Sequence, residues 1–293
     1  MCPSSIPGLN LICYVITLNG TFSWAIVSKY LFNDFILLAI PLTIGLAVLA
    51  QALGTLIGLL LYFMRRARLA PVRWLANAYI WFFRGTPLIV QILLAYSVFP
   101  YVGLPRPLAA VDFFPHIGYP QVQLGSFIAA LAALALNEGA YMAEIVRAGI
   151  DAIDVGQMEA SKSLGMTYFL AMRRIILPQA ARVIIPPLGN EFNAMLKNTA
   201  LAIAISLNEL LGTARAFGAS QFRILELYVV ASFWYLVMTT VWTAIQAVIE
   251  RRLNVSVTDS GPLDTGSYWS RLLGFGRKGT PTEAVAGLPA DHR

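Results

Sequence analysis

Glu144-Ile-Val-Arg147-Ala-Gly-Ile-Asp151-Ala-Ile-Asp-Val-Gly-Gln-Met-Glu159-Ala160-Ser161-Lys-Ser-Leu-Gly165-Met-Thr167-Tyr-Phe-Leu-Ala-Met-Arg-Arg-Ile175-Ile-Leu177-Pro178 is a long polar stretch inside a chain that is otherwise close to hydrocarbon. Its charges are mixed, glycines mark its turns, and Val146, Ile150, Ile153, Met158 and Leu164 recur at helical spacing. The pattern predicts short helices with one apolar stripe rather than a structureless loop, which would be unusual at this length. Gly165 is expected to break the first helix and Thr167 to cap the next through its side-chain oxygen. Pro178 is expected to end or kink the second helix at Leu177. A segment this polar cannot lie in lipid, so it belongs at the surface or against another protein.

Outside this stretch, composition decides the class. Of 293 residues, 58% are hydrophobic and 12% charged, where soluble domains carry roughly 25% charged residues. The chain reads as an all-α integral membrane protein. Its net charge of +6 marks cytoplasmic flanks, and no nucleic-acid partner is expected. Cys2 and Cys13 make no CxxC pair, and His116 and His292 stand alone, so no metal or redox site is predicted. The first basic residue is Lys29, so no cleaved signal peptide is expected. The apolar run Leu9–Leu18 is too short to span and suits the outer interface.

About five transmembrane helices follow. Asn33-Asp34 offers a start for span one, near 35–64, whose Gly54-x-x-x-Gly58 permits close helix packing. Arg65, Arg66, Arg68 and Arg73 place its end in the cytoplasm and the N-terminus outside. Span two, near 76–102, contains Arg84-Gly85-Thr86-Pro87-Leu-Ile-Val-Gln91, which implies a broken helix packed within protein or a helix-start arginine snorkelling inward. Residues 103–122, rich in Pro and aromatics, suit an outer loop or a partly inserted hairpin. Span three, near 123–146, buries Glu138 at membrane depth, and Glu144 and Arg147 can pair on its inner turn. Span four, near 183–207, is expected to be irregular at Pro186-Pro187 and Gly189, with Asn190, Glu191 and Lys197 following. Residues 208–223 read as a short outer loop whose Arg215 and Arg223 run against the assigned side. Span five, near 225–249, ends on Glu250-Arg251-Arg252, and Trp234, Tyr235 and Trp242 on it anchor or pack. The chain thus divides into an outer or interfacial segment (1–34), a membrane domain (35–252) with a cytoplasmic loop (148–180), and a Gly/Pro/Ser-rich cytoplasmic tail (253–293) expected to be disordered. Gly274-Phe-Gly276-Arg-Lys-Gly279 in that tail follows no strand and is read as chance.

The polar stretch resembles the EAA loop of bacterial ABC-importer permeases, whose pattern is Glu-Ala-Ala, three residues, Gly, nine residues, Ile-x-Leu-Pro. Glu159-Ala160-Ser161, Gly165 and Ile175-Ile176-Leu177-Pro178 match that spacing, with Ser161 the one departure. Arg84-Gly85-Thr86-Pro87 with Gln91, and the run from Glu138 to Glu144 and Arg147, are similar to the polar amino-acid permeases of the family. Asn190-Glu191 and Lys197-Asn198-Thr199 match it too, while Ala200 replaces a usual Ser. The resemblance covers about residues 35–252. It implies a type-I ABC-importer permease fold with N-terminus out and C-terminus in, in the bacterial inner membrane. It also implies a second permease subunit, identical or related, an ATPase dimer that binds ATP and Mg, and a periplasmic substrate-binding protein. In that family Glu159 makes a polar contact, Ala160 and Ser161 pack closely, Gly165 turns the loop, and Ile175, Leu177 and Pro178 close the motif that couples to the ATPase. Glu138, Asn190, Glu191 and Lys197 are the candidates for the substrate path.

The chain holds no GxxxxGK[ST] phosphate loop, no nucleophile elbow and no metal-ligand cluster. An ATP-driven transporter built on it must borrow its ATPase, and no cofactor is expected in the chain. An ion-driven secondary transporter of a small polar solute is the alternative. It would show internal repeats, and it leaves the spacing from Glu159 to Pro178 unexplained. A membrane-embedded enzyme lacks a catalytic set. An opine or another small polar solute stays open as the cargo.

Overall fold

A computed structural model describes residues 22–98 and 124–253. Its helices are α1 (Trp24–Leu31), α2 (Asp34–Arg65), α3 (Ala70–Gly85), α4 (Leu88–Val98), α5 (Leu124–Asp151), α6 (Val155–Ser163) and α7 (Tyr168–Ala171). A π turn (Met172–Ile176) leads into α8 (Leu177–Asn198), a 3-10 stretch (Thr199–Ile205), α9 (Leu210–Ser220) and α10 (Ile224–Arg252). No strand occurs among the described residues. The expectations for Leu9–Leu18, both cysteines, both histidines, the 103–122 segment and the tail beyond Leu253 lie outside them.

Three helices, α2, α5 and α10, are each long and apolar enough to cross a bilayer. Two bent pairs bring the number of candidate spans to five: α3 with α4, turned by 111°, and the run Tyr168–Ile205 with α9, turned by 46°. The most extensive pairing is α2 against α5. It depends on Gly54 and Gly58, the small-residue pair noted above. A Cβ on Gly54 would stand 2.6 Å from Glu138 Cβ, and one on Gly58 would collide with Met142. One apolar core joins α1, α2, α4, α5, α8, α9 and α10, and a smaller one joins α2, α5, the π turn and α8, with Met158 of α6 packed against it.

The structure corrects several expectations. Span two begins at Ala70, not near residue 76, with Pro71 in its first turn, so Arg73 lies inside the helix. Arg84 sits in the last turn of α3 rather than at a helix start. The break follows at Thr86, whose extended backbone is the conformation that Pro87 imposes on its predecessor.

Pro178 does not end its helix. In the π turn the Leu177 N–H bonds the Met172 carbonyl, so Pro178 falls in the first turn of a new α register, where no N–H is required. Span four is helical through Pro186-Pro187, and α10 packs beside it: Trp242 Nε1 donates to Gly189 O at 2.8 Å and Gln246 Nε2 to Pro186 O at 3.2 Å. Its irregular part is the far end, where the 3-10 stretch closes on Ser206 at φ 57°. The expected loop at 208–223 is instead helix α9.

Other expectations hold. Asn33 caps α2, its side chain accepting from Phe35 N at 3.1 Å. Trp234, Tyr235 and Trp242 pack, each donating a hydrogen bond within the fold.

Candidate functional site

The polar stretch folds into an elbow at one end of α2, α5 and α8. Asp154 caps α6, its Oδ1 accepting from Gly156 N at 2.7 Å, a role that the sequence reading missed. Gly165 then reverses the chain at φ 78°, a left-handed conformation that costs an L side chain about 1 kcal/mol. The turn is closed by Gly165 N to Lys162 O at 2.9 Å and Met166 N to Ser161 O at 3.1 Å. Thr167 caps α7 as expected, Oγ1 accepting from Leu170 N at 3.4 Å.

One side of the elbow is packed. Val146, Ile150, Ile176, Ala180 and Tyr62 are buried together, with Ile153, Met158 and Ile175 half-buried against them. Ser161 is buried and donates to Gln157 O at 2.6 Å, so the hydroxyl that departs from the motif is satisfied within its own helix. Leu164 leaves the expected stripe, being 83% exposed. Val155 (71%), Tyr168 (55%) and Phe169 (73%) are exposed too, and Val155 and Tyr168 line a cavity with Arg66, Ile150, Asp151 and Met158. Glu159, Ala160, Leu177 and Pro178 are exposed as well.

Behind the elbow, Glu144 bridges two helices. It accepts from Arg65 at 2.6 Å and from Arg147 at 2.8 Å, and Arg147 continues to Asp151 at 3.1 Å. The expected Glu144–Arg147 pair therefore forms, and Arg65 of α2 adds a link that no spacing rule within α5 reveals.

At the α3–α4 break, Arg84 stands 5.5 Å over the Tyr141 ring. Gln91 Nε2 donates to Phe83 O, Thr86 O and Thr86 Oγ1 at 2.8–3.1 Å, and Asn137 Nδ2 donates to Phe83 O and Gln91 Oε1, both at 3.0 Å. Side-chain amides thus satisfy the carbonyls that the bend frees at membrane depth.

The four path candidates do not form one cluster. Glu138 is buried on α5 and accepts from Gln51 Nε2 at 3.0 Å. Gln51 Oε1 is buried with no partner among the described residues. Asn190 turns toward α10, accepting from Gln246 Nε2 at 3.3 Å. Lys197 lines a separate cavity with residues of α9 and α10.

The described residues form a helical membrane subunit with three candidate spans, or up to five with the bent pairs, and a structured polar elbow at one end. Residues 54–255 match the family described as binding-protein-dependent transport system inner membrane component, and the chain belongs to that family. It is 40% identical over 246 residues to the arginine transport system permease protein ArgU of Corynebacterium glutamicum, covering 82% of this chain and 75% of that one. It is 35% identical over 240 residues to the L-cystine transport system permease protein TcyB of Bacillus subtilis, covering 82% and 94%. The fold matches the crystal structure of an amino acid ABC transporter with histidines at a TM-score of 0.67 and 37% identity, over 79% of this chain and 99% of that one. The chain is thus a multi-pass ABC-importer permease subunit and not an enzyme.

Proposed function

We propose that this chain imports a polar amino acid across the bacterial inner membrane, powered by a separate ATPase that docks on the elbow. The observation that carries the coupling is the two-sided elbow. Its inner side is fastened to α2, α5 and α8, while Val155, Leu164, Tyr168 and Phe169 are left exposed, as are Glu159 and Ala160. Burying a large apolar side chain contributes about 1.5–3 kcal/mol, so this face gains by meeting a partner. A closing ATPase dimer, holding ATP and Mg, would move the packed helices through it, with Gly165 as the rigid turn and Ser161, Ile175, Leu177 and Pro178 holding the motif. The inner ends carry Arg65, Arg66, Arg173, Arg174, Arg251 and Arg252, which supports N-terminus out and C-terminus in.

The relatives named for arginine and cystine, and the structure with histidines, support an amino-acid cargo. Glu138 and Glu191, with the unpartnered oxygen of Gln51, supply acceptors that suit its ammonium group, and Asn190 and Lys197 complete the candidate path. Arg84 with Gly85, Thr86, Pro87 and Gln91 holds the α3–α4 bend, and Glu144 with Arg147 holds the inner end. A second permease subunit closes the passage, and a periplasmic binding protein delivers the cargo.

The test is Gly165→Asp. A Cβ at Gly165 meets nothing within 4 Å, so the change costs this chain little beyond backbone strain, about 1 kcal/mol. The variant should insert in normal amount and lose uptake with its ATPase stimulation. Normal uptake by the inserted variant would remove the elbow from the mechanism.

A further inference from the structure

We propose that the turn between α2 and α3 binds the phosphate of an anionic phospholipid at the elbow end of the bundle, with Arg73 as the fixed donor and Arg68 beside it. No Asp or Glu occurs between Asp34 and Asp112, a run that holds Arg65, Arg66, Arg68 and Arg73 around this turn. The fold brings acids to only two of the four. Arg65 meets Glu144 at 2.6 Å, and Arg66 lines a cavity with Asp151 and Asp154. Arg68 and Arg73 are exposed and form no ion pair with a carboxylate among the described residues. The site depends neither on the identity of the cargo nor on which side of the membrane the elbow faces.

Arg73 is held by the backbone of the turn. Its Nη1 donates to Ala67 O and to Arg68 O, both at 3.1 Å. The guanidinium is thereby tied across the turn, against the backbone of Arg68. Its Nε and Nη2 have no partner among the described residues. That edge of an arginine offers two parallel bonds to a phosphate oxygen pair. Two neighbouring positive charges repel each other, and one anion between them relieves both.

The apolar residues around the turn favour a lipid as the source of that anion. Leu69 (67%), Trp74 (72%) and Leu75 (56%) are exposed on either side of Arg73 in sequence. Ala76 and Ile80 of the same helix instead pack against Leu61, Ala140 and Ala143. The bent pair α3 and α4 is a candidate span, so the first turn of α3 stands where hydrocarbon gives way to headgroups. A tryptophan ring settles at that level, and an arginine beside it keeps its stem in the apolar zone and its head on the phosphates. Dissolved phosphate would answer the guanidinium and leave the three apolar side chains in water.

The experiment uses the complete permease–ATPase complex in an uncharged detergent. Phosphatidylglycerol, phosphatidylcholine or soluble glycerol 1-phosphate is added, and bound molecules are counted by native mass spectrometry. The wild type should hold phosphatidylglycerol more tightly than phosphatidylcholine, by about fivefold for each arginine engaged. Arg73→Gln and Arg68→Gln should each reduce that preference by about fivefold. Arg73→Lys, which keeps the charge and loses the two-bond edge, should recover only part of it. The comparison of two lipids on the wild type needs no substitution, so a misfolded variant does not shield the idea. Equal retention of the two lipids overturns the site, and so does an undiminished preference in both glutamine variants, which places the lipid elsewhere. Glycerol 1-phosphate bound as tightly as phosphatidylglycerol makes this a site for a dissolved anion and overturns the lipid. Loss of the ATPase from the glutamine variants, with the lipid preference intact, assigns the turn to the ATPase and also overturns it. Amino-acid import stands or falls separately, by uptake.

Discussion

Glu209 has no solvent exposure, yet it stands at the first turn of α9 as its cap. One carboxylate oxygen accepts from Gly212 N and the other from the Tyr235 hydroxyl, while Thr43 Oγ1 beside it accepts from Leu210 N at 3.0 Å. The residue therefore ties α9 to α2 and α10. Removing it leaves a buried amide and a buried phenol without partners, at about 1–3 kcal/mol for each orphaned group. Glu209→Ala should lower the thermal unfolding midpoint of the purified subunit clearly, and Glu209→Gln, which keeps an acceptor, should lower it less. Equal midpoints for Glu209→Ala and the wild type would show that the network contributes nothing. Little of this is legible beforehand. An acid flanked by Asn208 and Leu210 reads as a loop residue, since its partners come from helices 26 and 166 positions away. By contrast, Gly165, Thr167 and Asn33 act through neighbours two to four residues away, and their roles follow from local backbone chemistry.

Helices show the same division between local and distant causes. The spans α2, α5 and α10 are legible because hydropathy over about 20 residues is a property of the segment itself. Breaks are harder. Arg84-Gly85-Thr86-Pro87 announces the 111° bend because Pro87 acts on its immediate neighbour. Pro178 and Pro186-Pro187 mislead: a π turn sets Pro178 in a first turn, and α8 runs on through Pro186-Pro187. The close pairing of α2 with α5 yields a controlled test. Gly58 has no room for a side chain, whereas Gly45 on the same helix meets nothing within 4 Å. Gly58→Leu should force the helices apart and cost about 1–3 kcal/mol or more as overpacking, read as a lowered unfolding midpoint or lost insertion. Gly45→Leu should leave both unchanged. If the two variants behave alike, close approach at Gly58 is not what holds the pair.

For the whole molecule, the elbow and the arginines near it mark one end of the bundle. Arginines gather at the ends of α2 and α10 and in the elbow, while Arg215 lines a cavity beside α10 and Arg223 is bonded to Glu226 at 3.3 Å. These last two ran against the charge rule when read in sequence, and the fold gives each a local setting instead. The expected orientation has a direct test: a reporter or single cysteine at the exposed Ser163 should face the cytoplasm. Labelling of Ser163→Cys by an impermeant reagent from outside intact spheroplasts would overturn the orientation and the ATPase docking together.

By itself the sequence determined that the chain is helical and membrane-spanning, where most spans lie, and that residues 144–178 form a polar double turn of family type. Those features arise from interactions within a few residues or from the average polarity of a segment, and both are written along the chain. Only the tertiary structure decided that Glu144 answers Arg65, that α9 exists, that Leu164 faces outward, and that Lys197 parts from Glu138 to share a cavity with Arg215. Each of these depends on which helix faces which, and that is set by packing between segments far apart in sequence, for which a linear pattern carries no coordinate.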